Sequence, residues 1–457
     1  MWNTLRRVRF VELQLLITAL LFFASGYLLT TATRPGSEFT RTAYGLARLL
    51  WPSSLPILLF VVISGILSWR APRADQLLLP LVAMLAGLGL LLMARLQASF
   101  EAEGLIKYYG RVASKQTVFV TAGVALLLLM VLAPLDRIFI RLQRMSLMDW
   151  LKNHRWIWVL LGILLVAVTF VFGKGPPGQD QKLWIDLGFF TFQPSELLKL
   201  ALVIFLASYL DEYREVVAAG WRVGPFTLPP LPYLLPMVGM WGLAMGFIFI
   251  QRDLGGALLL FCIFLSMLYV ATGKGWYALV GLAAFAVGAY GMYHVIGRVQ
   301  DRVAIWLNPW ADASGTGYQI VQGQYAISAG GIFGAGLGQG SPAVVPAIHT
   351  DFAFTAIAEE LGLAGSIGVL LLYILLMYRG YHIALRLNSR FRGFEQLLAV
   401  GLTSIIAVQT FIIVAGNLRV IPLTGVTLPF ISYGGSSVLI NFLIVGLLMR
   451  ISAGGTS

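Results

Sequence analysis

Asp351 is the side chain of this sequence best placed to move a proton. It stands two residues after His349, at the mouth of an apolar stretch starting near residue 352 and downstream of Arg298 and Arg302. A carboxylate beside a titratable imidazole and within reach of cations suits proton acceptance next to an anionic ligand; the same position would also suit a helix cap. A second charged group lies in Gln193-Pro194-Ser195-Glu196-Leu197-Leu198-Lys199. Pro194 fits the first position of a helix, which puts Glu196 and Lys199 on one face, three residues apart. A lone charge is expensive in lipid, so the two are expected to pair, either as a structural ion pair or as part of a substrate site. Gln251-Arg252-Asp253-Leu254-Gly255-Gly256 reads as a tight reversal in which Asp253 either caps the next helix or takes part in chemistry.

The elements that must hold these residues are membrane helices. Of 457 residues, 58% are hydrophobic and 11% charged, against roughly a quarter charged in soluble domains, so a water-soluble enzyme is excluded. A single cysteine, Cys262, excludes a disulfide framework, a thiolate cluster and a CxxC redox pair; the four histidines (His154, His294, His349 and His382) are too scattered to suggest a zinc site. The formal charge of +12 lies in short runs between apolar stretches. That is the distribution of cytoplasmic membrane loops, not of a nucleic-acid interface.

A crossing helix needs about 20 apolar residues, and about twelve stretches approach that length: 11–32, 54–69, 76–95, 117–135, 155–173, 194–210, 231–250, 253–272, 275–296, 352–378, 396–416 and 430–450. Continuous apolar runs without strand alternation indicate an all-α polytopic membrane protein in contact with membrane lipids. The first stretch has basic flanks, but it is long and ends in a poor small-residue cleavage site, Thr30-Thr31-Ala32-Thr33-Arg34, so it is expected to be a retained helix. The most basic linkers carry Arg137, Arg141, Arg144, Lys152 and Arg155, and Arg379, Arg386, Arg390 and Arg392. They predict a cytoplasmic side shared by both chain ends. Loops 174–193, 297–351 and 417–429 then face outward, and 297–351 is far longer than an ordinary connection.

Several motifs follow one another in order. They are Trp184-Ile185-Asp186-Leu187-Gly188, the Gln193–Lys199 run, Gln251–Gly255, Asn308-Pro309-Trp310 with Gly317-Tyr318-Gln319, Gly331-Ile332-Phe333-Gly334-Ala335-Gly336-Leu337-Gly338, His349-Thr350-Asp351-Phe352 with Glu359-Glu360-Leu361-Gly362, and Pro422-Leu423-Thr424-Gly425 through Leu428-Pro429-Phe430-Ile431-Ser432-Tyr433-Gly434-Gly435-Ser436. Over about 76–451 the chain resembles the SEDS family (shape, elongation, division and sporulation). It departs from that family's pattern at Leu183, Arg252 and Ala347. The resemblance implies a ten-helix membrane domain, 76–457, preceded by an extension, 1–75, with two further helices.

The activity so implied is peptidoglycan glycosyl transfer: polymerisation of lipid II at the outer face of the bacterial cytoplasmic membrane, with a class B penicillin-binding protein as partner. It carries the role of general base onto Asp351. The substrate set is Arg302, then Lys199, Lys182 and Arg298, with Glu196, His349 and Ser436. Gln193, Pro194, Ser195, Asp253, Glu359, Glu360, Gly434 and Gly435 are expected to support them. Undecaprenyl pyrophosphate departs with concentrated negative charge, which fixed cations stabilise. A divalent cation such as magnesium, with Asp351 as a ligand, is a further candidate for that task. A base on one side and cations on the other imply a direct, inverting displacement, with the lipid tail in a groove between apolar helices. The competing functions are a lipid II flippase and a noncatalytic scaffold for a transpeptidase. The charged motifs cluster toward the outer side and no internal repeat is evident, which favours the enzyme.

Overall fold

The computed structural model describes residues 9–32, 43–133, 135–175, 182–188, 190–223, 226–228 and 230–454. Its helices are α1 (Phe10–Ala32), α2 (Ala43–Arg70), α3 (Leu78–Ala102), α4 (Ile106–Tyr109), α5 (Val112–Leu132), α6 (Leu135–Gln143), α7 (Leu147–Asn153), α8 (Arg155–Phe172), α9 (Pro194–Ala219), α10 (Leu231–Ile250), α11 (Leu254–Thr272), α12 (Gly275–Val295), α13 (Gly297–Leu307), α14 (Tyr318–Gly330), α15 (Ala353–Arg386), α16 (Ser389–Asn417) and α17 (Gly435–Ala453). Two antiparallel hairpins interrupt them, β1 (Ile185–Asp186) with β2 (Thr191–Phe192) and β3 (Trp221–Val223) with β4 (Phe226–Leu228).

Ten of the described helices are long and apolar enough to cross a membrane. Two expected crossings are not among them. Residues 194–210 form most of α9, whose charged Glu196, Lys199 and Asp211 lower its apolar character; 54–69 fall within α2, where Leu58–Arg70 is a shorter apolar segment. The segment 297–351 was expected as one long loop, and this is corrected: it contains α13, α14 and 3-10 turns at Pro309–Asp312 and Pro342–Val344. These helices are short and mixed in polarity, so a search for membrane-length apolar runs passes over them.

The chain divides into two compact units. The first comprises residues 1–132, 301–379 and 409–457. Its core is α3, buried along most of its length, with α17 packed against α5. Close approach depends on small residues: a carbon added at Gly87 would lie 2.2 Å from Phe23, and one at Gly123 would lie 2.2 Å from Phe442. At one end of this unit, Arg9 is buried with Glu12 and donates to the carbonyl oxygens of Ala71 (3.1 Å) and Asp75 (2.6 Å). Arg379 pairs with the Asp75 carboxylate, and the Ser452 hydroxyl accepts from the Asp75 amide at 3.0 Å. The N-terminal helices are therefore fastened to the ends of α15 and α17 by a buried polar cluster.

The second unit comprises residues 133–300 and 380–408. Here α8 packs on α9, with Gly162 against Leu198, and Gly401 fits closely against Val203 and Met267. Lys152 pairs with Asp211 at 2.7 Å, and Arg155 pairs with Glu212.

Candidate active site

Asp351 lies in the first unit, two residues before α15, in a turn organised by Ala347. The Ala347 carbonyl accepts from the amides of Thr350 and Asp351, both at 3.0 Å, and from the Thr350 hydroxyl at 3.2 Å. Ala347 takes a left-handed φ of 53° to do this. Three successive carbonyls of the turn are then held by the last residue of α16 and the segment that follows it. Tyr433 N donates to His349 O (2.8 Å), Ser432 Oγ to Thr350 O (2.6 Å) and Asn417 Nδ2 to Asp351 O (2.8 Å). The backbone at Asp351 is fixed independently of its carboxylate.

That same segment, 418–434, meets Arg302. Arg302 Nη1 donates to Leu423 O at 3.2 Å, and Trp306 Nε1 to Arg419 O at 3.0 Å. Two residues beyond Leu423, a carbon added at Gly425 would lie 3.6 Å from Asp351 Oδ2, and Gly425 has φ 75°. Acid and cation thus approach neighbouring points of one loop. Five non-glycine residues among those described have a positive φ, and three of them, Ala347, Arg419 and Phe430, belong to these two segments. Backbone strain of this kind persists where surrounding contacts over-determine it, and it clusters at functional sites.

His349 is packed by the rings of Phe100, Tyr109 and Tyr433. Burial pushes its pKa down to about 4, so it is neutral at physiological pH and adds no positive charge to the site. Ser436 is buried in the first turn of α17. Gly435 is needed for close approach, since a carbon there would lie 2.6 Å from Phe119; Gly434 has ordinary contacts only.

Glu359 and Glu360 brace the glycine-rich segment. Glu359 Oε1 accepts from Ser341 N at 2.7 Å, and Glu360 Oε2 accepts from Gly338 N at 3.3 Å. Arg95, in the C-terminal half of α3, pairs with Glu360 at 2.9 Å and donates to Gly340 O at 2.9 Å. Gly362 breaks α15 with φ 66°. The carbonyls of Glu359 and Glu360, which would otherwise receive the amides of residues 363 and 364, accept instead from Ala335 N (2.9 Å) and Gly336 N (3.1 Å). The displaced donors, Leu363 N and Ala364 N, turn to Gly331 O (2.9 Å) and Ile332 O (3.0 Å). Glycine is required for this exchange, because a carbon at Gly330 would stand 1.9 Å from Ala358 O and one at Gly334 2.2 Å from Glu360 O.

The remaining expected residues belong to the second unit, whereas Arg302 and Asp351 belong to the first. Pro194 opens α9 after Gln193, with Ser195 next in that turn; Lys199 and Glu196 are buried and paired at 2.7 Å. Asp253 caps α11, its Oδ1 accepting from Gly256 N at 2.9 Å. Lys182 Nζ donates to Phe170 O at 3.1 Å. Arg298 is one turn before Arg302 on α13. Reading the residue types overlooked Asn417 and Arg95. Asn417 carries no charge to mark it, whereas Arg95 could have been found as an isolated charge closing an apolar stretch.

Along α17, the Asp351 turn adjoins the N-terminal end through Tyr433, and the Asp75–Arg379 cluster adjoins the C-terminal end through Ser452. The two ends are about 28 Å apart at the α-helical rise, close to the thickness of a hydrocarbon core.

Residues 76–456 match the family described as cell cycle protein, which comprises FtsW, RodA and SpoVE. The chain belongs to this family, the SEDS proteins. Peptidoglycan glycosyltransferase RodA of Mycobacterium tuberculosis (strain ATCC 25618 / H37Rv) is 38% identical over 98% of this chain and 91% of its own length. Since the aligned region takes in nearly the whole chain, α1 and α2 have counterparts in that relative although they precede the family match. Two solved structures are similar to this chain in fold. One, described as structural coordination of polymerization and crosslinking by a peptidoglycan synthase complex, has TM-score 0.65 and 28% identity, covering 83% of this chain and 97% of that one. The other, the crystal structure of Thermus thermophilus rod shape determining protein RodA, has TM-score 0.55 and 25% identity, covering 83% and 96%.

Proposed function

We propose that this SEDS protein is a peptidoglycan glycosyltransferase that polymerises lipid II, with Asp351 as general base. The observation that carries the reading is the convergence of Asp351 and Arg302 on residues 425 and 423 of one loop. Glycine at 425 puts no side chain of its own beside the carboxylate. A sugar 4-hydroxyl is a poor nucleophile; as its oxygen attacks the donor's anomeric carbon, its proton passes to the Asp351 carboxylate. The bond from that carbon to the pyrophosphate oxygen breaks, and undecaprenyl pyrophosphate leaves with the electron pair. A cation fixed in advance, Arg302 first, receives the developing charge. Lys199, Lys182 and Arg298 are further candidates for binding the lipid-linked pyrophosphate.

Among the described residues, no group of three histidine, cysteine, aspartate or glutamate side chains could hold a metal ion. Magnesium would therefore be held by Asp351 and the substrate's own pyrophosphate oxygens, and the step above is written without it. The basic linkers and the Asp75–Arg379 end of the first unit support an outward-facing Asp351, with twelve crossings and both termini cytoplasmic. The similarity to a peptidoglycan synthase complex supports a penicillin-binding protein as partner.

The test supplies lipid II to the purified, reconstituted chain and to Asp351→Ala and Asp351→Asn. Glycan strands from the native chain alone are expected. Polymer from all three forms defeats the base assignment; no polymer and no lipid II movement from any form is what a scaffold would give. No polymer from any, with labelled lipid II crossing the vesicle wall, supports transport instead.

A further inference from the structure

The linker between α5 and α8 carries a surface that the proposed chemistry does not use. In α6, Leu135, Ile138, Phe139 and Leu142 recur at i, i+3, i+4 and i+7, which places them on one stripe. Arg137 and Arg141 lie on the opposite face, and Arg144 follows one residue after the helix. No residue of α6 is buried; Ile138 is 44% exposed and Leu142 73%.

The helix is nonetheless held in place. Asp136 Oδ1 accepts from Leu147 N at 3.1 Å, and the rings of Phe139 and Trp150 lie 5.0 Å apart. Through these contacts α6 is tied to α7, which buries Leu147 and Leu151 and is fixed to the end of α9 by Lys152–Asp211 and by Ser208 Oγ donating to Lys152 O at 2.8 Å. The charges of the linker consequently fall into two classes. Lys152 and Arg155 are neutralised by Asp211 and Glu212. The side chains of Arg137, Arg141 and Arg144 pair with none of the described residues.

We propose that α6 lies in the plane of the adjoining leaflet, with Ile138 and Leu142 among the acyl chains and Arg137, Arg141 and Arg144 bound to anionic phospholipid headgroups. Chain connectivity keeps the helix at the bilayer surface, because α5 and α8 on either side are both of membrane-crossing character. The paired faces are the pattern of interfacial helices, in which apolar burial and attraction to anionic lipid act together. Arginine suits phosphate because its planar fork donates two parallel hydrogen bonds. A soluble protein partner would have to cover the exposed Ile138 and Leu142 and also match the arginines opposite; the bilayer surface meets both faces at once.

The test uses the full chain in nanodiscs, with Cys262→Ser so that a bimane label at Leu142→Cys is the only one. Acyl-brominated phosphatidylglycerol and acyl-brominated phosphatidylcholine are compared as quenchers at equal mole fraction. Quenching at Leu142 should favour phosphatidylglycerol, by up to about fivefold in local enrichment for each arginine, and the preference should shrink at high salt. The triple variant Arg137→Gln, Arg141→Gln and Arg144→Gln should lose the preference, while the triple lysine variant keeps most of it. These exposed substitutions leave the packing intact, and unchanged thermal unfolding verifies that. Equal quenching by the two lipids overturns the headgroup assignment. A label reached by aqueous iodide but by neither brominated lipid overturns the proposal entirely and leaves the stripe to a protein partner.

Discussion

The side-chain amide of Asn417 donates to the backbone carbonyl of Asp351 at 2.8 Å, and its own amide oxygen accepts from the hydroxyl of Thr355 at 3.1 Å. Asn417 is 1% exposed, so both bonds are sheltered from water. It holds the Asp351 backbone without touching the carboxylate. Asn417→Ala should lower stability by about 1–3 kcal/mol, because the polar groups it leaves behind remain buried. If Asp351 is the base, the loosened turn should also reduce polymerisation by up to about 100-fold, chiefly in kcat. Unfolding curves and steady-state rates on the reconstituted protein measure the two effects separately. An unchanged kcat alongside lost stability would make Asn417 structural only.

The ion pair between Arg95 and Glu360 is nearly enclosed, with side-chain exposures of 12% and 4%. Removing one partner of such a pair strands the other. Arg95→Met is expected to destabilise the protein by about 3–5 kcal/mol, and adding Glu360→Gln should recover part of the loss. A double-mutant cycle on thermal unfolding checks this. Strict additivity of the two changes would show that the pair is not coupled.

His349 supplies a pH dependence whose sign is fixed by burial. Its folded pKa lies near 4, below the ordinary 6.5. As pH falls from about 6.5 to about 4, the unfolded chain takes up a proton that the folded chain refuses, so stability declines across that window. His349→Phe preserves an aromatic side chain among Phe100, Tyr109 and Tyr433 and removes the titration. The variant should lose less stability than the native chain between pH 7 and pH 5, as read by thermal unfolding at both values.

Ala347 holds the Asp351 turn in a conformation that an alanine adopts only under constraint, with φ 53°. Ala347→Gly should relieve about 1 kcal/mol of strain in the folded state, offset in part by the greater freedom of glycine in the unfolded chain. Unchanged or slightly higher stability is therefore expected, with the Asp351 turn intact. A fall of several kcal/mol would show that the Ala347 methyl group makes a contact that matters more than the backbone angle.

Much of this architecture was legible because lipid imposes a simple rule on sequence. Of about twelve apolar runs, ten coincide with helices long and apolar enough to cross a membrane, and the local roles of Pro194 and Asp253 followed from the chemistry of helix starts. The Glu196–Lys199 pair followed from helical spacing and the cost of a lone charge in lipid. The hairpins escaped notice because strands of two or three residues carry no periodic signal. Asn417, Ser432 and Tyr433 escaped as partners of the Asp351 turn for a different reason: their contact spans 66 to 84 residues of chain, and no local pattern reports which distant carbonyl a polar side chain will meet. His349 looked titratable from its type alone, and only its aromatic surroundings reveal it as neutral.

The exchange of partners at Gly362 has a dynamic consequence. Four amides, those of Ala335, Gly336, Leu363 and Ala364, are committed across the seam between the glycine-rich segment and α15. Lifting that segment breaks all four together, so their protons should swap with solvent deuterium as one slow cooperative group, unlike the fraying ends of a helix. The interruption in α15 is therefore a stiff joint that pins the glycine-rich segment to the helix.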